Sequence, residues 1–177
     1  MIVLELFNTL TRQKNEIIPF EEGLVRMYTC GPTVYRDAHI GNLRSYLMAD
    51  WIKRSLILLG YEVIHIKNIT DVGHMRQEVL ERGEDKVVAA AIASGQTPQQ
   101  IADFYTQRFL NDEKTLNILP ADEFPKATDH ITEMIKIVEQ LEKNKLAYEV
   151  EGNLYFNVRN FDKYGQLSGN IHENTLK

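Results

Sequence analysis

Leu24-Val25-Arg26-Met27-Tyr28-Thr29-Cys30-Gly31-Pro32 is a short apolar run, rich in strand formers, that ends in a Cys-Gly-Pro turn. It predicts a strand followed by a loop. Beyond the loop, apolar residues at Leu43, Leu47, Met48, Trp51, Ile52, Leu56 and Leu59 keep helical spacing, and Gly60 stands where a helix C-terminal glycine belongs. The stripe predicts a helix of about four turns with that face in the core. Tyr61-Glu62-Val63-Ile64-His65-Ile66-Lys67-Asn68-Ile69 then alternates and is rich in β-branched residues. Strand, loop, helix and strand in this order predict a parallel βαβ unit with a right-handed crossover, hence an α/β fold. In open α/β sheets the ligand sits beyond the carboxyl ends of the strands, which here are Cys30-Gly31 and Thr70-Asp71.

Outward from this unit the reading is mostly helical. Helices are expected at Lys86 to Ala93 and, after the turn Ser94-Gly95-Gln96-Thr97-Pro98, at Gln99 to Leu116, with Thr97 as N-cap and Pro98 at the first helical position. Lys126 to Asn144 reads as an amphipathic helix with Ile131, Met134, Ile135, Val138 and Leu141 on one face. Tyr148 to Val150 and Asn153 to Val158 read as a hairpin around Glu151-Gly152, and Gly165 to Asn170 as loop. A composition shift near Leu116 to Asp122 is the candidate boundary.

The 177 residues suffice for a real core, and 44% hydrophobic with 25% charged residues is an ordinary globular mixture. A formal net charge of −5 rules out sequence-independent phosphate binding as the main business of the chain. Leu56-Ile57-Leu58-Leu59 is the most apolar run, far short of the roughly 20 residues that cross a bilayer, so no membrane association is expected. The start of the chain carries no basic leader, and a single cysteine cannot close an intramolecular disulfide; both favour the cytoplasm.

Chemistry concentrates in Cys30-Gly31-Pro32-Thr33-Val34-Tyr35-Arg36-Asp37-Ala38-His39-Ile40-Gly41-Asn42, between the strand and the helix. A helix start offers unpaired N–H groups and the positive end of the macrodipole, which favours a phosphate there. His39 can donate to that phosphate, and Gly41, lacking a Cβ, lets a sugar or base approach the backbone. Taken alone, Cys30 reads as a small buried hydrophobe. His65 reads as a packing or exposed strand residue, His130 and His172 as surface residues, and His74 as a candidate pocket residue. Asp85, Lys86 and the mixed charges from Glu78 onward read as a solvated helix face.

His39-Ile40-Gly41-Asn42 resembles the His-x-Gly-His signature of class I aminoacyl-tRNA synthetases, whose last position is often Asn. Three further stretches resemble the cysteinyl branch of that class: Leu6 to Lys14, Tyr28 to Tyr35, and Asn68-Ile69-Thr70-Asp71-Val72-Gly73-His74. Ala127-Thr128-Asp129-His130-Ile131 and Asn153-Leu154-Tyr155-Phe156 sit where the same family has an inserted connective region. The resemblance covers essentially the whole chain.

The resemblance implies a Rossmann-like nucleotide-binding core, first half only, over residues 1–118, and the start of the connective insertion over 119–177. It implies ATP-dependent activation of L-cysteine to cysteinyl-adenylate and transfer to tRNA(Cys). Gly31, Thr33, Asn68 and Thr70 would bind the cysteine and adenylate; His39, Gly41 and Asn42 would hold ATP with magnesium, His39 and Asn42 being catalytic. Cys30 would be one ligand of a zinc ion that also takes the substrate thiolate, a bond serine's hydroxyl cannot match. The family's other zinc ligands and its Lys-Met-Ser-Lys-Ser-like loop have no counterpart here, so this chain alone is expected to bind zinc weakly or not at all and not to aminoacylate tRNA. A monomer is expected. Two alternatives stay open: a ligase joining cysteine to an amino sugar in mycothiol synthesis, against which Asn8 to Lys14 speaks, and a noncatalytic module that keeps a nucleotide pocket.

Overall fold

The computed structural model describes residues 3–73 and 86–169, so His74, Glu78, Asp85, Asn170 and His172 lie outside the described residues. In chain order the elements are β1 (Glu5–Asn8), β2 (Gln13–Glu16), β3 (Leu24–Thr29), α1 (Ile40–Leu58), β4 (Glu62–Lys67), α2 (Lys86–Ser94), α3 (Pro98–Thr115), α4 (Ile131–Lys143), β5 (Ala147–Val150) and β6 (Asn153–Phe156). They fall into two compact units, one from Ile18–Asp129 and the other from Val3–Ile17 together with the segment from His130 onward.

The larger unit contains the expected βαβ arrangement. β3 and β4 pair in parallel from Leu24↔Glu62 to Thr29↔Lys67, with α1 between them in sequence. Pairing continues past both strands: Val34 N donates to Thr70 O at 3.1 Å, and Thr70 N donates to Pro32 O at 2.9 Å. The loop after β3 is thereby stitched to the loop after β4. On the other side of β4, Ile66 and Ile69 form parallel bridges with Glu123 and Lys126, and Ile69 N donates to Pro125 O at 2.8 Å. Pro125 needs no partner for an N–H it lacks, which suits an edge position.

α1 begins at Ile40, earlier than the apolar stripe suggests; Leu43, Leu47 and Leu56 of that stripe face the core as expected, but the inward face is shifted from it at Met48 and Trp51. Tyr46, Ala49, Asp50, Lys53 and Leu56 are buried, whereas Met48 and Trp51 are 58% and 64% exposed. The buried face also takes in two charges, which have partners inside. Asp50 Oδ1 accepts from Leu119 N at 2.8 Å, and Lys53 Nζ donates to Pro120 O at 2.9 Å and to Asp122 at 3.3 Å. A buried charge is tolerated when such bonds satisfy it, and apolar periodicity cannot register that.

α2 and α3 follow expectation. Thr97 caps α3 by accepting from Gln100 N at 3.2 Å, Gln100 Oε1 accepts from Thr97 N at 2.9 Å, and Pro98 opens the helix. The core gathers Val34, Tyr46, Ile69, Val87, Ala91, Ile101, Ala102, Phe109 and Ile118.

In the smaller unit, β1 and β2 form an antiparallel hairpin that the sequence reading did not identify; Arg12 at φ 58° closes it, its N–H donating to Asn8 O at 2.8 Å. α4 is shorter than the expected Lys126 to Asn144 because Ala127–His130 coils as a 3-10 turn. On its apolar face Ile131, Met134 and Ile135 are exposed, while Val138 and Leu141 are half-buried. β5 and β6 form the expected hairpin, with Glu151 and Gly152 both at positive φ as a tight two-residue turn requires.

Candidate functional site

The parallel register decides what meets at the ends of β3 and β4. Since Thr29 pairs with Lys67, the next residues of the two strands come side by side. Gly31 N donates to Asn68 Oδ1 at 3.1 Å, Tyr28 OH donates to the same oxygen at 3.0 Å, and Asn68 Nδ2 donates to Thr70 Oγ1 at 3.0 Å. A Cβ on Gly31 would lie 1.9 Å from Asn68 O, so this position admits only glycine. Gly31, Thr33, Asn68 and Thr70, expected to share a pocket, thus form one bonded group, Thr33 through its bridge to Thr70. Cys30, next to this group, carries an exposed free thiol rather than the buried one its residue type alone suggests.

His39 is the N-cap of α1. Its Nδ1 accepts from Gly41 N at 3.1 Å and Asn42 N at 3.3 Å, and Asn42 Oδ1 returns the bond by accepting from His39 N at 3.2 Å. This changes the expected chemistry of the helix start, because two of its free amides are spent on the imidazole. An imidazole whose Nδ1 accepts carries its proton on Nε2 when neutral, which leaves that nitrogen a donor. The cap therefore fixes the tautomer suited to an anionic ligand. A Cβ at Gly41 would stand 3.0 Å from His39 Cε1, so a larger residue there would push on the capping imidazole.

A cavity of about 230 Å³ lies between the loop after β3, α1 and α3. Of the expected site residues, Gly31, Thr33 and Asn42 line it, while Asn68 and His39 support it through their bonds to Gly31 and Asn42. Cys30, Gly41 and Thr70 are not part of its lining. Arg108 on α3 grips Asp37 with two hydrogen bonds, Nη2 to Oδ2 at 3.1 Å and Nε to Oδ1, and so pins the loop wall to the helix.

Tyr46 and Phe109 form the aromatic part of the lining, edge to face at 5.3 Å. Lys67 Nζ stands 5.2 Å from the Tyr46 ring and 5.8 Å from the Phe109 ring, and it is paired with Glu113 on α3. Neither this pair nor Tyr46 is among the site residues expected from the sequence. One signal was available: Tyr46 follows Asn42 by one helical turn and so shares its face. Burial, then the Glu113 carboxylate, then Cys30 push the Tyr46 hydroxyl up to about 12, so it stays protonated at neutral pH. Lys86, read from sequence as part of a solvated face, is half-buried in the cavity wall.

His65, the strand histidine, is a packing residue at 1% exposure, its Nε2 2.8 Å from Thr29 Oγ1 and its Nδ1 without a hydrogen-bond partner. Burial first, then Lys67 and Lys53, against Asp122 and Asp50, lower its pKa to about 4. A base depressed below its unfolded value near 6.5 contributes stability that is complete above about pH 6.5 and is lost as pH falls toward 4. Between pH 6.5 and 5, before most carboxylates titrate, the chain should lose about 1.5 kcal/mol. Urea denaturation at the two pH values measures this, and His65→Gln should flatten the difference; a flat wild-type curve would remove the claim.

Among the described residues no group of three His, Cys, Asp or Glu side chains is placed to hold a metal ion. Zinc takes at least three protein ligands, so the described residues do not by themselves make up a zinc site around Cys30. Among the described residues, no helix is long and apolar enough to cross a membrane.

The sequence model of the family described as tRNA synthetases class I (C) catalytic domain matches residues 16–177. The chain belongs to that family. Among curated relatives, the cysteine–tRNA ligase of Treponema denticola is 47% identical over 98% of this chain and 35% of its own length. Those of Desulfitobacterium hafniense and Phocaeicola vulgatus are 43% and 42% identical over 97% and 98% of this chain. The chain spans about a third of the length of these relatives. A solved structure, the agnB2 LeuRS of Agrobacterium radiobacter K84 in a ternary complex with tRNA and LeuAMS, superposes with a TM-score of 0.57 at 20% identity, covering 74% of this chain and 16% of that one. That likeness is one of fold: the Rossmann-like α/β arrangement with a parallel sheet, as in the first half of a class I catalytic domain.

Proposed function

We propose that the chain supplies the cysteine and ATP pocket of a cysteine–tRNA ligase, which activates L-cysteine as cysteinyl-adenylate and transfers it to tRNA(Cys). One observation carries the reading: a single cavity is lined both by Gly31, next in sequence to the exposed Cys30, and by Asn42, bonded to the His39 cap. The relatives named cysteine–tRNA ligase support it. In this reading residues 1–118 serve the nucleotide-binding half and 119–177 begin the connective region, within a cytoplasmic enzyme.

The substrate carboxylate attacks the α-phosphate of ATP and pyrophosphate leaves. The protein's part is to position the two reactants and to stabilise phosphate charge. His39 Nε2–H and the Asn42 side-chain Nδ2–H donate to phosphate oxygens; Gly31, Thr33, Asn68 and Thr70 shape the contact with cysteine and the adenylate. Cys30 contributes a thiol, which among the described residues has no two further ligands beside it to complete a zinc site.

The test is cysteine-dependent ATP–pyrophosphate exchange by a chimera in which this chain replaces the matching third of the Treponema denticola ligase. His39→Asn keeps a side-chain oxygen able to cap α1 but loses the reach of the imidazole. It is expected to slow exchange on the order of 10² to 10³, the scale for one lost transition-state donor. Near-normal exchange by this variant would take His39 out of the mechanism, and an inactive wild-type chimera would sink the whole reading.

A further inference from the structure

We propose that Arg36 and Lys86 form a clamp for the polyphosphate chain of the nucleoside triphosphate, an inference that rests on the ATP reading above. Both side chains line the cavity. Both also stand against one ring: Arg36 Cζ lies 5.1 Å and Lys86 Nζ 5.4 Å from the Tyr35 centroid. The ring attracts each cation and fixes its place. The two cations repel each other, and among the described residues no carboxylate is paired with either.

The other charges at the cavity are accounted for. Among the described residues Asp37 is the only acidic one in its lining, and it is held by two nitrogens of Arg108. Glu113, behind the Tyr46 and Phe109 rings, is paired with Lys67. Among the described residues the charge left facing the cavity is positive, in a chain whose formal net charge is −5. An anion entering the cavity would satisfy both cations together.

A polyphosphate fits this better than the carboxylate of an amino acid. Its several charged oxygens can engage a planar guanidinium fork and a separate ammonium point charge at once, whereas one carboxylate carries a single charge. The clamp also lies next to the capped helix start. Arg36 is three residues from His39, Asn42 lines the same cavity, and the Asp37–Arg108 grip holds the intervening backbone in place before a ligand arrives.

Inorganic tripolyphosphate, titrated calorimetrically into this chain, tests the clamp. Arg36→Gln and Lys86→Gln, which remove charge but keep a polar side chain, are each expected to weaken binding about tenfold, and together about a hundredfold. The double variant should also show a shallower salt dependence, and Lys86→Arg should keep most of the affinity. Unchanged thermal melting of the variants confirms that the fold persists. Wild-type chain that binds no tripolyphosphate, or a double variant that binds it as tightly as wild type, overturns the clamp. Failure of the ligase reading looks different: tripolyphosphate binding that the substitutions abolish supports the clamp even if the wild-type chimera performs no cysteine-dependent exchange.

Discussion

Lys67→Met, with Glu113 left in place, should cost the larger unit about 3–5 kcal/mol of stability. Lys67 has no exposed surface, and Glu113 is buried beside it with, among the described residues, only the Lys67 ammonium opposite its carboxylate. Burial already pushes the Glu113 carboxyl above its usual range, with Lys67 acting against that push. Removing the ammonium leaves a desolvated acid with no opposite charge, which must either protonate or draw water into the core. The pair itself is a different matter. Lys67→Met with Glu113→Leu replaces two charges by apolar groups of similar size, and is expected to be neutral or to stabilise by about 1–4 kcal/mol. Urea denaturation of the two variants decides: a single variant as stable as wild type would contradict the buried-pair description. If the double variant is stable yet binds ATP poorly, the pair serves the cavity, where its ammonium sits behind the two lining rings.

Gly31→Ala is the second large effect. The added methyl would lie 1.9 Å from the Asn68 carbonyl oxygen and 3.1 Å from Lys67 Cγ. The nearer obstacle is backbone, held by the ladder between β3 and β4, so no rotamer change relieves it. The strand ends must part, which breaks the Gly31 N to Asn68 Oδ1 bond and loosens the Val34 to Thr70 stitch. A loss of about 3 kcal/mol is expected, at the upper end for overpacking, together with loss of ligand binding at the cavity. Gly60→Ala is the contrast. Gly60 has φ +90° and nothing within 4 Å of the added Cβ, so only backbone strain is incurred, about 1 kcal/mol. Equal melting temperatures for the two variants would show that the Gly31 approach is not as close as described.

What could be read from the sequence was whatever depends on neighbours along the chain. β3 lies over Leu24–Thr29 as its composition indicated, the Thr97-Pro98 start of α3 follows from capping chemistry, and the β5–β6 turn follows from Glu151-Gly152. The loop carrying His39 and Asn42 was legible for the same reason. Features set by distant partners were not. Asp50 and Lys53 turn inward because the Ile118–Asp122 segment offers them bonds, and Lys67 is buried because Glu113 and two rings surround it from other helices. β1 and β2 are short and largely polar, so no periodicity announced them. At the site, the meeting of Gly31 with Asn68 needed the strand register, and the double hydrogen bond from Gly41 and Asn42 to His39 needed the cap geometry.

The uncovered stripe on α4 has a practical consequence at the bench. With Ile131, Met134, Ile135 and Ile137 open to solvent, the folded chain is an amphiphile. It will adsorb to plastic and to air–water interfaces, and hydrophobic dyes will light up on it before any denaturation, so dye fluorescence is a poor gauge of whether a preparation is intact.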